Sequence, residues 1–386
     1  MQSDSFEHLM NLVAKPGAVM VRGEGAFMWD ASGKRYLDFV QGWAVNALGH
    51  CPPELAHALS RQATTLISAS PAYHNATALE LGARLAHVSG LPKVFLASTG
   101  AEANEGAIKL ARKWGKLHRG GAFEIITTVN GFHGRTLATM AATGKPGWDA
   151  MFPPAMPGFV KVPYGDRAAM ESAIGPNTVA VMVEPIQGEA GVVLPPDGYL
   201  RSLRALADDH GLLLIVDEVQ TGVGRTGRLF AHQHDAVTVD VMTLGKGLGG
   251  GVPLAALLAS ERASCFERGE QGGTFVGNAF TAAAGLAVLA VVTREGFLER
   301  VVQSGTRLSD GLRSLGASIT EVRGRGLLVA ARLDAARAER VRDIAFDQGL
   351  LINAVRPDTL RFMPPLNVRD AEIDEMVGIL GRALAM

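Results

Sequence analysis

Along this chain, short unbroken apolar runs alternate with stretches whose apolar residues recur every three or four positions. Residues 212–216 (Leu-Leu-Leu-Ile-Val) lead directly into Asp217, and residues 239–244 lead into Gly245-Lys246-Gly247. Runs this short and this apolar read as strands buried on both faces, the pattern of a parallel sheet. Similar runs occupy 94–97, 124–129, 179–183 and 254–259. Between them, helical spacing runs from residue 100 to about 116 and over 199–210, where Gly211 supplies a C-terminal stop. This succession predicts an α/β fold: a mostly parallel sheet, of the seven-stranded type, with helices on both faces. Ahead of it, residues 19–40 read as two or three short strands turning at Asp30-Ala-Ser-Gly33, and 53–68 as an amphipathic helix. After about residue 285 the pattern predicts a long helix (282–294, then 298–315), a strand at 327–332 preceded by Arg323-Gly-Arg-Gly326, a helix at 335–348, a strand at 350–353 and a last helix at 370–384. The expected organisation is a large domain over 51–285 and a small α+β domain built from both chain ends, 1–50 and 286–386.

Ligands of open α/β sheets sit outside the carboxyl ends of the strands. Asp217 and Lys246 fall there. A buried carboxylate and an amine at strand ends suit pyridoxal phosphate chemistry, in which the lysine bonds the cofactor and the acid keeps the ring nitrogen protonated. The same two residues also fit a helix cap and a solvated loop lysine, and by themselves they leave both readings open. Thr99-Gly-Ala-Glu102 has capping-box spacing after a strand, which makes either an anion site or only a well-capped helix. Gly131-Phe-His-Gly-Arg135 offers an aromatic ring for a planar ligand and an arginine for a carboxylate, or else a turn with a surface arginine. Glu184-Pro-Ile-Gln-Gly-Glu189 places two acids at the same edge, while Arg361 carries no reading alone.

Gly222-Val-Gly-Arg-Thr-Gly227 matches the dinucleotide fingerprint and raises the alternative of a nicotinamide-dependent dehydrogenase. That motif needs a long helix after its third glycine, and residues 228–235 offer barely two turns. Lys246 also lacks the glycine and Ser/Thr spacing of a P-loop.

The chain has 386 residues, 47% apolar and 19% charged, and a net charge of −1, which removes any electrostatic case for nucleic acid or an anionic membrane. Two isolated cysteines, Cys51 and Cys265, point to a reducing cytoplasm rather than a disulfide framework, and no metal-ligand spacing is present. Residues 1–7 lack the apolar core of a signal peptide, and 282–292 is too short to span a bilayer.

Seven ordered motifs then make the chain similar to the class III pyridoxal-phosphate-dependent aminotransferases over nearly its whole length. They are Arg22-Gly-Glu-Gly-Ala-Phe-Met-Trp-Asp30, Ala44-Val-Asn-Ala-Leu-Gly-His50, Gly100-Ala-Glu-Ala-Asn-Glu105, Gly131-Phe-His-Gly-Arg135, Glu184-Pro-Ile-Gln-Gly-Glu189, Asp217-Glu-Val-Gln-Thr-Gly222 and Gly245-Lys-Gly-Leu-Gly249. The resemblance implies pyridoxal 5'-phosphate as cofactor and transfer of the ω-amino group of N2-acetylornithine to 2-oxoglutarate, a step of arginine biosynthesis. Ornithine, succinylornithine, succinyldiaminopimelate and 4-aminobutyrate are the competing donors. It also implies roles. Lys246 resembles the Schiff-base lysine that moves the proton, and Asp217 the partner of the ring nitrogen. Gln220 would bond the phenolic oxygen, Phe132 and Val219 would sandwich the ring, and Gly100 and Ala101 would give amides to the phosphate. Thr274 resembles a phosphate ligand supplied by a neighbouring subunit, so the resemblance implies a homodimer with its active site at the interface. Arg135 and Arg361 resemble the arginines for the far and α-carboxylates, with Glu189 neutralising Arg361 while the ω-amino donor is bound. Gly273, placed with the substrate residues, stands where the family usually has Ser. Val276, Ala279, Trp43 and Ser70-Pro-Ala-Tyr73 also depart from the family pattern, around the substrate entrance rather than the cofactor.

Overall fold

A computed structural model of the chain describes residues 8–10, 12, 13 and 16–386. The reading of residues 1–7 as no signal peptide lies outside the described residues. Among the described residues fifteen strands follow in chain order: β1 Met20–Glu24, β2 Phe27–Asp30, β3 Arg35–Asp38, β4 Lys93–Ala97, β5 Glu124–Thr128, β6 Phe159–Val162, β7 Thr178–Val183, β8 Leu213–Asp217, β9 Val241–Leu244, β10 Ala255–Ala259, β11 Ile319–Arg325, β12 Leu328–Leu333, β13 Leu350–Leu351, β14 Asn353–Arg356 and β15 Thr359–Phe362. The central sheet has seven strands in the order β4-β10-β9-β8-β7-β5-β6. All neighbours from β9 to β6 run parallel, and β10 alone is antiparallel to both of its partners. Consequently β4, β5, β7, β8 and β9 all end on one edge.

The strands are apolar throughout because both faces are covered. Alternate residues of β8 enter different cores: Leu213 and Ile215 pack with Ala107, Ile108, Ala111 and Trp114 of the helix Gly100–His118. Leu214 and Val216 pack with Leu200, Leu203 and Leu206 of the helix Tyr199–Asp209. Each such side chain contributes roughly 1.5–3 kcal/mol on burial. The helix Tyr199–Asp209 is followed by Gly211 at φ 62°, the left-handed residue expected of that stop.

Two smaller sheets flank this layer. One has the order β1-β2-β3-β13, with Leu350 of β13 lying parallel to Leu37 of β3, so the two chain ends share a sheet. The other, β11-β12-β15-β14, is antiparallel and sets Asn353 directly opposite Arg361.

Several boundaries differ from the sequence expectation. The helix expected over 53–68 ends at Ala63, where the hydroxyls of Thr64 and Thr65 both bond the Arg61 carbonyl and turn the chain. A helix at Ala76–Ser89 was missed; its Ala/Gly-rich stretch offers few large apolar markers, and only Leu81 and Leu85 are fully buried. The long helix over 282–315 is two helices, Ala279–Val292 and Phe297–Arg313, bent by 76° where Gly296 takes φ 76°. Arg323-Gly-Arg is strand rather than approach, and the helix expected from 335 starts at Ala338. Among the described residues no single helix is long and apolar enough to cross a membrane.

Candidate active site

The common carboxyl edge gathers the charged residues. Asp217 ends β8 and is 3% exposed. Its Oδ2 accepts hydrogen bonds from Asn104 Nδ2 and His133 Nδ1, each at 2.8 Å, and its Oδ1 accepts one from the Val219 amide at 3.0 Å. A carboxylate has about four acceptor positions, so three filled ones leave room for a single further donor. Asn104 also donates to the His133 carbonyl at 2.7 Å and accepts from the Thr243 hydroxyl at 2.7 Å. It is buried and ties the helix Gly100–His118 to β8, to the loop after β5 and to β9.

Lys246 opens a short turn after β9 with φ 41°, an unusual conformation for a residue with a side chain. Burial pushes its ammonium below the ordinary lysine range; Arg361 adds to this, while Glu189, Glu184 and Asp217 oppose it. Val219 packs beneath the turn. A Cβ on Gly100 would sit 2.7 Å from Val219 Cγ1, and one on Gly245 would sit 3.2 Å from the same atom. The approach excludes a side chain at Gly100 unless Val219 moves, and leaves little room for one at Gly245. At the start of the long helix, Thr99 and Glu102 form the capping box. The amides of Gly100 and Ala101 are left with no partner among the described residues. Free first-turn amides at the positive end of a helix suit a phosphate.

A second group lies around Arg361, which is 1% exposed on β15. Its guanidinium donates to Asn353 Oδ1 at 2.7 Å, to Gln220 Oε1 at 3.3 Å and to Glu189 Oε1 at 2.8 Å. Gln220 reaches it because Gly188 has no side chain: a Cβ there would lie 1.6 Å from Gln220 Oε1. The Nε2 of Gln220 is buried with no partner among the described residues. The other oxygen of Glu189 accepts from Lys145 Nζ at 3.2 Å. Lys145 in turn sits 5.0 Å from the Phe132 ring centre and 5.1 Å from that of Trp148. Arg135 is exposed, with no ion-pair partner among the described residues, and lies 5.0 Å from the Trp148 ring.

The two acids of the 184–189 motif are driven in opposite directions. Burial pushes Glu184 up to about 7, aided by Asp217 and resisted by His133 and by the amides of Phe132 and Gly188 that it accepts. Burial would also raise Glu189, but Arg361, Lys145 and Lys246 outweigh it and hold that carboxyl at about 2. For His133, burial works downward, and the bond to Asp217 with the charges of Asp217 and Glu184 more than reverses it, so its pKa is raised.

The structure therefore brings Lys246, Asp217, Val219, Gln220, Phe132, Gly100, Ala101, Glu189 and Arg361 to one edge. It leaves Thr274 and Gly273 apart from them, on an exposed loop. Sequence reasoning passed over Asn104, Lys145, Trp148 and Asn353; Asn104 and Lys145 meet Asp217 and Glu189 from 113 and 44 positions away. Glu184 was placed at the ligand edge without a role, and His133 reads from sequence as either a general base or a structural histidine; the structure sets it against Asp217. The dinucleotide reading of Gly222–Gly227 is overturned. Only a short turn at Ala231–Asp235 follows, and Arg225 plunges inward, donating to the carbonyls of Leu327 at 3.1 Å and Pro364 at 2.6 Å. This loop clamps the segment that carries Arg361. Glu218, beside Asp217, is spent on the amides of Ala231 and His232.

A planar, singly phosphorylated pyridine fits these residues. The unpartnered Gln220 Nε2, the free amides of Gly100 and Ala101 and the open acceptor position on Asp217 are the groups such a cofactor needs.

The family model described as Aminotransferase class-III matches residues 11–384. The chain is 52% identical to acetylornithine aminotransferase 2 of Bordetella pertussis, over 98% of this chain and 96% of that one. It is 49% identical to acetylornithine aminotransferase of Ralstonia nicotianae, over 97% and 96%. Among solved structures, N-acetylornithine aminotransferase from Stenotrophomonas maltophilia superposes with a TM-score of 0.85 at 37% identity, covering 96% of each chain. Ornithine aminotransferase from Toxoplasma gondii, in a structure with partial occupancy of PLP at the active site, gives 0.93 at 35% identity, covering 98% of this chain and 92% of that one.

The raised Glu184 pKa sets a sign. The folded protein holds this proton more tightly than the unfolded chain, so the contribution is full below the ordinary value near 4.5 and is lost as pH rises through about 7. Glu184→Gln removes it. In thermal unfolding across pH 5 to 8, the stability of wild type relative to Glu184→Gln is expected to fall by about 1–3 kcal/mol as pH rises. A flat or rising difference contradicts the assigned burial cost.

Proposed function

The chain belongs to the class-III aminotransferases, and from that premise we propose that it passes the ω-amino group of N2-acetylornithine to 2-oxoglutarate, giving N-acetylglutamate semialdehyde and glutamate. Enzymes of this family use pyridoxal 5'-phosphate. Its carbonyl accepts the amino group and its ring takes up the electron pair released at the substrate carbon. In this chain Lys246 would hold it covalently, Asp217 would face the ring nitrogen, Gln220 the phenolic oxygen, and Phe132 and Val219 the two ring faces. Gly100 and Ala101 would receive the phosphate. The depressed Lys246 pKa leaves more of its Nζ as free amine near neutral pH, which suits it to lift the proton from the substrate carbon and return it on the cofactor side.

The observation that carries the two-substrate reading is the Arg361–Glu189 pair at 2.8 Å. A buried guanidinium must be neutralised while a donor without a carboxylate at that end is bound. Glu189 does this. When 2-oxoglutarate arrives, its own carboxylate takes that place. Arg135 is exposed at the mouth, with no ion-pair partner among the described residues, and is suited to the carboxylate at the donor's other end.

We take residues 51–285 as the cofactor-holding domain, with 1–50 and 286–386 forming the smaller one; the β3–β13 pairing supports this division. A homodimer is part of the same reading. Ile67, Tyr73, Leu79 and Phe275 are 56%, 73%, 56% and 69% exposed. So many bare apolar side chains near one loop favour a covering partner, and Thr274 on that loop would then reach the partner's phosphate site. Two unpaired cysteines support a cytoplasmic location.

Purified protein is expected to be yellow, and Lys246→Ala to lose that colour along with turnover, by roughly 10²- to 10⁴-fold; a colourless wild type with full activity contradicts the cofactor assignment. In a donor panel with 2-oxoglutarate, acetylornithine is expected to give the highest kcat/KM against succinylornithine, ornithine and 4-aminobutyrate. Arg135→Ala is expected to lower kcat/KM for acetylornithine by about 10- to 100-fold without loss of bound cofactor. A panel led by 4-aminobutyrate, or an indifferent Arg135→Ala, overturns the donor assignment. Sedimentation is expected to give about twice the 40.6 kDa chain mass. Phe275→Asp should shift the protein toward the single chain and weaken its hold on the cofactor. A fully active single-chain wild type is incompatible with a shared site.

A further inference from the structure

Glu189 has two cationic partners, one on each oxygen: Arg361 at 2.8 Å and Lys145 at 3.2 Å. They differ in freedom. The Arg361 side chain is 1% exposed and fixed by Asn353 and Gln220. Lys145 and Glu189 are 23% and 27% exposed, at the rim of the cleft. Lys145 also lies over Phe132 and Trp148, so its ammonium is held in place by two rings while its proton donors remain available.

We infer that Lys145 is the second station of Glu189: it retains the displaced carboxylate when a dicarboxylic substrate takes Arg361, and thereby sets the affinity for 2-oxoglutarate relative to the amino donor. The inference rests on the Arg361–Glu189 reading above and adds a specific holder for the displaced acid. The physical reason is desolvation. An acid leaving a guanidinium inside a narrow cleft must find another donor or reach water, and an unpaired half-buried carboxylate is costly. Lys145 supplies that donor without Glu189 leaving the cleft. The move needs only that one oxygen release Arg361 while the other stays where it already is. Lys145 is a positioning residue in this scheme, since it acts on Glu189 and not on the reacting atoms.

The test uses the holoenzyme and compares Lys145→Met, which keeps the apolar stem over the rings, with Lys145→Arg, which restores a cation. Two quantities are read: the ratio of KM for 2-oxoglutarate to KM for acetylornithine, and the Kd for glutarate, a five-carbon dicarboxylate with no keto group to react. Lys145→Met is expected to raise both by about three- to tenfold, within the range of a partly screened charge contact. Lys145→Arg is expected to restore most of the loss, and kcat at saturation to change less than the ratio. The same substitution is repeated in a Glu189→Ala background, where the effect is expected to vanish because there is no acid left to hold. An effect that persists there means Lys145 contacts the substrate directly and overturns the inference. So does an unchanged ratio in Lys145→Met, and if Glu189→Ala still shifts the two half-reactions, the Arg361–Glu189 reading survives it. A Glu189→Ala enzyme with both half-reactions unaltered removes that reading and the inference with it.

Discussion

The rest of the site depends on one carboxylate that cannot turn. Asp217 is fixed by Asn104, His133 and the Val219 amide, and Asn104 is itself fixed by Thr243 and the His133 carbonyl. Each bond is worth only about 0.5–1.5 kcal/mol net, or up to 3 where the acceptor is charged. Their strength is collective. Rotating Asp217 would take the acceptor from three donors at once, two of them fully buried, and a buried donor without a partner costs more than its bond contributed. The same amide connects the helix that starts at Gly100 with the strand that ends just before Lys246. An anion site, an acid and an amine, supplied by remote parts of the chain, are thus held in one frame.

That frame also explains how several ionisable groups share a small volume. The Glu184–Glu189 motif carries two carboxyls only five residues apart, yet one is raised to about 7 and the other held at about 2. Glu184 faces backbone amides and a second acid, so burial dominates. Glu189 faces one arginine, Arg361, and two lysines, Lys145 and Lys246, so charge dominates. Environments that separate like groups in this way are how one site keeps some acids neutral and others charged at a single pH.

The strands were legible because their burial on both faces leaves no other residue choice; 212–216 reads as β8 to within a residue. Asp217 and Lys246 were legible because they interrupt such runs at their ends. The short edge strand β6 and the helix Ala76–Ser89 were not seen, one being only half buried and the other rich in small residues. Partners were invisible for a different reason. Nothing local in Asn104, Lys145 or Asn353 distinguishes it from a surface residue, since each gains meaning from a contact made 8 to 113 positions away. The glycine pattern at 222–227 misled in the same way. A nucleotide loop and a structural clamp share its spacing, and what separates them is Arg225, turned inward onto two carbonyls of the C-terminal segment.

Backbone shape alone cannot choose the amino donor, because solved relatives named for ornithine and for N-acetylornithine share this fold. The two donors differ chiefly by one charge: ornithine carries an α-ammonium where the acylated donor carries a neutral amide. Arg135 and Lys145 both stand within 5.1 Å of the Trp148 ring; among the described residues Lys145 pairs with Glu189 alone and Arg135 with no carboxylate. A third cation entering there would meet repulsion on the order of 1 kcal/mol per neighbour even in a well-solvated cleft. Acylation removes that repulsion and keeps the carboxylate that Arg135 attracts. Selection of the acylated donor can therefore rest on an excess of positive charge at the mouth, with no pocket shaped closely around the acyl group.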